Sequence, residues 1–286
     1  MKKLINRNMN FQWICVERIG HVFRELMYHA SNARKRKKKL FIFYPNYGVK
    51  RHLNYIMRED VKLISLNKYI YFIINYFTKI LNALINKVFF NNNYLGRYSN
   101  DFIGTLFDLF LVKHKVDSFE KYCINQHMLD HFSKFYIKGG NGNIFNSLNI
   151  SPNNYIVLHV RETSYFGDDN RKMNKEADIN NYIEALNYLE ELNLPVVRMG
   201  DPKVAEFSHN NLINYCKSEF YSPQNDIVLS GNARFAMINC SGYRYLPYIL
   251  GIPTLTVNAF PYGGTDLSKN SAVLFKKIKK NGSYLS

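Results

Sequence analysis

The chain has 286 residues, 47% of them hydrophobic, which suits one large or two medium domains with a sizeable core. Its four scattered cysteines, Cys15, Cys123, Cys216 and Cys240, make no CxxC pair and no Cys/His cluster; this argues against a disulfide scaffold or a structural zinc site and for reduced thiols in a cytoplasmic protein. The net charge of +16 belongs to the first half: residues 1–150 hold 24 Lys and Arg against 9 Asp and Glu, residues 151–286 hold 14 against 13, so an anionic partner is expected there, whether a membrane surface, a phosphorylated or acidic substrate, or nucleic acid.

Met1-Lys2-Lys3 is basic, but Arg7 and Asn8 arrive before any long apolar run, so no signal peptide is read. The pattern predicts a strand over 11–16, a loop through Arg18-Ile19-Gly20-His21 and a helix over 22–33. The dense basic run from Arg34 to Lys39 reads either as the solvated end of that helix or as a nucleic-acid patch. A strand over 39–44 stops at Pro45-Asn46, a helix is plausible over 47–57, and a short strand follows over 61–64. From 68 to about 136 the signal is mostly helical. Residues 70–90 look apolar enough to span a membrane, but Asn75, Lys79, Asn82, Asn86 and Lys87 would be costly at the bilayer centre, so an amphipathic helix is read instead. The flexible Gly139-Gly140-Asn141-Gly142-Asn143 and the turn-rich 147–154 place a boundary between an N-terminal domain, 1–145, and a C-terminal domain, 146–286.

The second half alternates more clearly. A strand runs through Tyr155-Ile156-Val157-Leu158-His159-Val160-Arg161-Glu162, followed by a polar loop over 163–175. A helix is predicted over 178–192, with strands over 195–199, 212–216, 235–239 and 253–258, a helical turn over 226–230, and a helix over 243–250 closed by Gly251. Strands alternating with helices imply parallel sheets with helices on their faces, hence an α/β chain of two doubly wound, Rossmann-like domains.

Three strand ends carry the chemistry. His159 and Arg161 alternate onto one side of their strand, and an arginine fork suits a phosphate. Gly200-Asp201-Pro202 ends a second strand. Ser241-Gly242 opens a helix, where free N–H groups and the dipole favour an anion. In a parallel sheet these ends share one edge, which suggests a nucleoside-diphosphate site. Singly, each has a plain structural reading as an ion pair, a turn or an N-cap. Neither GxGxxG after a strand nor GxxxxGK[ST] occurs, arguing against a dinucleotide oxidoreductase and a P-loop NTPase.

His159-Val160-Arg161-Glu162 resembles the HxR motif of fucosyltransferase-like enzymes. With Ala177-Asp178-Ile179-Asn180-Asn181-Tyr182, Val197-Arg198-Met199-Gly200-Asp201, Asn239-Cys240-Ser241-Gly242, Gly251-Ile252-Pro253 and the loop Arg18-Ile19-Gly20-His21, the chain is similar to a bacterial glycosyltransferase family, continuously over about 155–260 and in patches before that. The resemblance implies a B-type glycosyltransferase (GT-B-like) fold, with two domains facing across a cleft. It also implies an inverting enzyme that moves a sugar from a nucleotide-sugar donor to a glycan or lipid-linked acceptor in polysaccharide biosynthesis. In that frame Arg161 contacts the diphosphate beside His159, Ser241 and Gly242 hold phosphate, Gly200 and Asp201 border the nucleoside, and Gly20 and His21 serve the acceptor side. Arg161, His21 and Glu162 are then the catalytic candidates, the last two as general base. No cofactor or metal is expected, since Arg and backbone dipoles can stabilise the leaving group; Asp168-Asp169 is a weak metal candidate. The basic domain would sit at the inner face of the cell membrane, peripherally, with nucleic acid the less favoured partner. No closing helix is read after 276–280, so a truncated or inactive nucleotide-binding homologue is a further expectation.

Overall fold

The computed structural model describes residues 9–14, 19–74, 76–77, 134–140, 142–162, 176–259, 270–277, 279–280 and 283–284. The chain divides into two compact units, residues 1–138 and 139–286.

In the first unit β1 (Met9–Trp13), β2 (Lys39–Pro45) and β4 (Val61–Leu66) form a parallel sheet in the order β1-β2-β4. Between β1 and β2 runs α1 (Ile19–Lys35), which buries Val22, Phe23, Leu26, Met27, Ala30 and Ala33 along one face. The unit also holds a 3-10 helix, Gly48–Tyr55, and a small antiparallel pair, β3 (Ile56–Met57) with β5 (Tyr136–Ile137). The expected helix start moves: α1 begins at Ile19, so Gly20 and His21 lie in its first turn and not in a loop. The basic run resolves into ordinary structure. Arg34 and Lys35 occupy the last turn of α1, where positive charge complements the helix dipole. Lys37, at φ 52, then takes the left-handed position of a helix-ending turn, with Lys38 N–H donating to the Ala33 carbonyl at 2.8 Å.

The second unit contains α2 (Ile144–Ser147), β6 (Ile156–His159), the helical stretch Ile179–Tyr182 leading into α3 (Ile183–Glu191), β7 (Val196–Met199), β8 (Leu212–Ile213), α4 (Pro223–Gly231), β9 (Phe235–Asn239), α5 (Tyr245–Leu250), β10 (Thr254–Ala259) and β11 (Ser271–Phe275). A short ribbon of β12 (Lys279–Lys280) and β13 (Ser283–Tyr284) follows. All neighbours in the six-stranded sheet are parallel, in the order β11-β10-β9-β6-β7-β8. Alternate residues of β6 reach opposite layers. Ile156, Leu158 and Val160 pack with Tyr182, Leu186 and Leu189 on one face. On the other, Tyr155 donates its hydroxyl proton to the Leu229 carbonyl of α4 at 2.6 Å, and Tyr248 of α5 meets Thr256 at 3.2 Å. The sheet is therefore doubly wound, as the α/β reading expects.

Three details depart from the sequence expectation. The strand expected over 212–216 ends at Ile213, because the Asn214 side chain turns inward to donate to the Phe207 carbonyl and accept from Arg198. The turn expected over 226–230 is a helix that starts earlier, with Ser222 capping the Asn225 N–H and Pro223 at the first helical position. A sixth strand, β11, adds an edge. The expected Gly251 cap is present at φ 76. Gly251→Ala is expected to lower stability by about 1 kcal/mol, read as a shifted urea midpoint at unchanged slope, because a Cβ is disfavoured in this left-handed conformation.

Residues 68–74 and 76–77 are helical. The rest of the helical expectation over 68–136, and the Asp168-Asp169 pair, fall outside the described residues. No described helix is long and apolar enough to cross a membrane. Cys216 and Cys240 are buried free thiols, and burial pushes the Cys216 pKa up to about 11.

Candidate functional site

The sheet order has a consequence for function. From β6 the chain builds outward through β7 and β8 on one side, then returns to build β9, β10 and β11 on the other. The direction reverses between β6 and β9, and crevices at such reversals, outside the carboxyl ends of the strands, are where doubly wound sheets bind ligands. The residues placed there are His159, which ends β6, with Arg161 beyond it, and Asn239, which ends β9, followed by Cys240, Ser241 and Gly242. The two sides are tied together, since the Arg161 backbone N–H donates to Asn239 Oδ1 at 2.9 Å and Asn239 is fully buried. Asn239 has no role in the motif reading of Asn239-Cys240-Ser241-Gly242; its local signal is an amide ending the apolar run Phe-Ala-Met-Ile. Asn239→Leu is expected to cost about 1–3 kcal/mol of stability by orphaning that N–H, measurable by denaturant unfolding.

His159 gathers the three strand-end loops. Its ring stacks on Tyr243, with centroids 4.5 Å apart and planes 11° from parallel. On another side it adjoins Gly200, where an added Cβ would stand 3.9 Å from His159 Cδ2. Gly200 itself has φ +145, a conformation side chains rarely adopt, so glycine is required there by the backbone and not by crowding. The Tyr243 hydroxyl meets Ser230 Oγ at 2.9 Å in the core. His159 Nδ1 is sealed from solvent and has no hydrogen-bond partner among the described residues. Burial, helped by the charges of Arg161 and Arg198, lowers the His159 pKa to about 4. The ring is thus neutral at pH 7. His29 in the first unit is likewise held neutral by burial, at about 3. Because both folded-state values lie below the ordinary 6.5, their contribution to stability is full above that pH and is lost as pH falls toward 4. Unfolding free energies should therefore drop over that interval, and His29→Phe or His159→Phe should flatten the profile.

Ser241 caps the helix it opens, its Oγ accepting the Tyr243 N–H at 3.2 Å, while Gly242 is exposed. The Ser241 hydroxyl proton stays available to donate. Arg244, a further cation that the sequence reading did not single out, lies buried one turn in, its Nη1 3.9 Å from Cys240 Sγ and its guanidinium over the Tyr245 ring. Asp201 is spent partly on its own turn, Oδ1 accepting the Lys203 N–H at 2.9 Å.

Glu162 belongs to the opposite face of the sheet. It follows Leu158 and Val160, which point into the cluster under α3. One carboxylate oxygen accepts from Arg198 Nη2 at 2.5 Å, and the other accepts the Ala205 N–H at 2.7 Å. Arg198, 1% exposed, also donates to Asn214 Oδ1 at 3.1 Å. This geometry fits a brace for the 200–207 loop better than a general base. Beside it a cavity of about 510 Å³ is lined by Glu162, Asp178, Ala205 and Phe207 among others.

Gly20 and His21, the acceptor-side candidates, lie in the first unit at the start of α1, with Gly20 buried and His21 half-buried. Among the described residues no group of three or more His, Cys, Asp or Glu could hold a metal ion.

This doubly wound fold is shared with bacterial glycosyltransferases. The chain is similar to the ADP-heptose lipopolysaccharide heptosyltransferase II of E. coli, with a TM-score of 0.54 at 16% identity over 96% of this chain and 92% of that one. It is similar to a glycosyl transferase of family 9 from Veillonella parvula, with a TM-score of 0.54 at 11% identity over 96% and 92% of the two chains. It also matches the E. coli heptosyltransferase WaaC with ADP, with a TM-score of 0.51 at 13% identity over 93% of each chain. No protein-family model and no curated protein matches the sequence. At such identities the likeness establishes the fold, which is the GT-B type expected from the sequence.

Proposed function

We propose that the chain is a glycosyltransferase that moves a sugar from a nucleotide-diphosphate donor to a glycan or lipid-linked acceptor without a metal. The observation that carries this is the Arg161 strand end at the reversal point of the six-stranded sheet, joined across it to the strand end that leads into Ser241-Gly242. In transfer, the acceptor oxygen bonds to the anomeric carbon as the bond from that carbon to the β-phosphate oxygen breaks. Negative charge gathers on the departing diphosphate while the acceptor hydroxyl loses its proton to a base. Arg161, the Gly242 N–H and the Ser241 hydroxyl are the donors offered to that charge. His159, neutral, adds a hydrogen bond without adding charge. Gly200 and Asp201 border the nucleoside. Gly20 and His21 serve the acceptor side, with His21 the remaining candidate base once Glu162 is assigned to bracing. The HxR arrangement supports a fucosyltransferase-like donor grip. That the E. coli heptosyltransferase II is an ADP-heptose enzyme supports ADP among the diphosphates to test, and a heptose alongside a hexose or deoxyhexose as the sugar moved. The basic first half supports work at the inner, anionic face of a membrane.

Isothermal titration with ADP, UDP, GDP and CDP is expected to show one preferred nucleotide. Binding to none of them would overturn the reading. The alternative of a nucleic-acid-binding protein predicts filter retention of DNA or RNA that falls steeply with salt.

A further inference from the structure

The helical residues 68–74 and 76–77, called here the 68–77 helix, are turned the wrong way round for a helix that packs its apolar face inward. It starts directly after β4, where Asn67 Oδ1 accepts the Tyr69 N–H at 2.9 Å. Tyr71 fastens it from beneath, 1% exposed and with its hydroxyl donating to the Ile14 carbonyl at 3.0 Å, and Phe72 stacks at one edge on Tyr47, with ring centroids 5.9 Å apart. On the side away from Tyr71 stand Tyr69, Ile70, Phe72, Ile73, Tyr76 and Phe77, each between 51% and 69% exposed. The spacing 69, 72, 73, 76 is that of one helical stripe, widened by Ile70 and Phe77. A contiguous apolar patch of this kind marks a contact surface.

Charge selects the occupant. Residues 61–100 contain no Asp or Glu and carry Lys62, Lys68, Lys79, Lys87 and Arg97. Lys68 is exposed, its ammonium 4.9 Å from the Tyr69 ring centre. Among the described residues 61–77 no acidic side chain stands to repel lipid phosphate and Lys62 and Lys68 are exposed; aromatic and aliphatic side chains with such lysines are the make-up of helices that lie in a membrane interface. We propose that the 68–77 helix is an interfacial anchor that inserts Tyr69, Phe72, Ile73 and Tyr76 into an anionic lipid surface. Its placement at the carboxyl end of β4 puts the anchor on the edge of the first unit's sheet where an α/β unit receives its ligands. The proposal stands apart from the nucleotide reading and can fail without it.

Co-sedimentation of the full chain with vesicles rich in phosphatidylglycerol is expected to deplete the supernatant. Vesicles of phosphatidylcholine alone, or high salt, should deplete it much less. Ile73→Asn, at an exposed position, should weaken partitioning about tenfold, with thermal unfolding and nucleoside-diphosphate titration unchanged. Should that variant fold poorly, Ile73→Trp supplies a second reading, its emission shifting to the blue on vesicle addition. No depletion by anionic vesicles, equal binding of Ile73→Asn, or an unshifted tryptophan would overturn the proposal. So would sedimentation velocity showing a dimer that Ile73→Asn dissociates while neither form binds vesicles, since the patch would then join two copies of the chain.

Discussion

Arg198→Leu is expected to destabilise the second unit by about 3–5 kcal/mol, the cost of breaking a buried ion pair from one side. The leucine would fill much of the space but leave the Glu162 carboxylate buried, with the Ala205 N–H as its one donor among the described residues. Asn214 would lose its arginine partner as well. The effect should extend beyond global stability, because the same carboxylate fastens the loop that carries Gly200 and Asp201. Hydrogen exchange at Lys203 to Ala205 should accelerate in Glu162→Gln, where a neutral amide keeps the shape and loses the charge. The double variant Glu162→Leu/Arg198→Leu should recover part of the loss, since two apolar side chains avoid the uncompensated charge. Urea unfolding of the parent chain, Glu162→Leu, Arg198→Leu and the double variant gives the coupling directly. Strict additivity would show that the pair is not an energetic unit.

Arg161→Ala is expected to weaken nucleoside-diphosphate binding by about 3 kcal/mol, roughly a hundredfold in Kd, while leaving the fold intact. The structural bond of this residue to Asn239 uses the backbone N–H, which alanine retains. Arg161→Lys should fall between the two, keeping a charge but losing the planar fork. Titration calorimetry on the three proteins reads the series, and circular dichroism checks the fold. If Arg161→Ala binds as tightly as the parent chain, the diphosphate is not held at this strand end. Equal loss in Arg161→Lys and Arg161→Ala would point to the fork, and not the charge, as the grip.

Much of the second unit was legible because its signals are local. Ile156 to His159 and Phe235 to Asn239 are short apolar runs between turn residues, and each became a strand. Leu186 and Leu189, at helical spacing, became the buried side of α3. What escaped was set by side chains acting across the chain. Asn214 reads as part of a strand until Arg198, on a neighbouring strand, draws its amide inward. Glu162 stands beside Arg161 in sequence, and the HVRE motif invites placing both at one site, the arginine on the diphosphate and the glutamate as base. Strand alternation separates them, sending Glu162 with Leu158 and Val160 toward α3 and His159 toward Tyr243. The helix boundary at Ile19 was missed because Arg18-Ile19-Gly20-His21 carries a glycine that reads as a loop, although a buried glycine in a first helical turn costs little.

The sequence by itself determined the α/β class, the alternation that makes the sheets parallel, the Gly251 cap and the strand ends that bear His159, Arg161, Gly200 and Ser241. Period and turn chemistry carry those features, and both lie within a few residues of one another. Only the tertiary structure decided that β6 and β9 are neighbours at a reversal of strand order, that His159 is neutral between Tyr243 and Gly200, and that Glu162 braces a loop. It also decided that the apolar face of the 68–77 helix points outward. Strand order, burial and the direction of a helix face depend on residues far apart in the chain, and no local pattern encodes them.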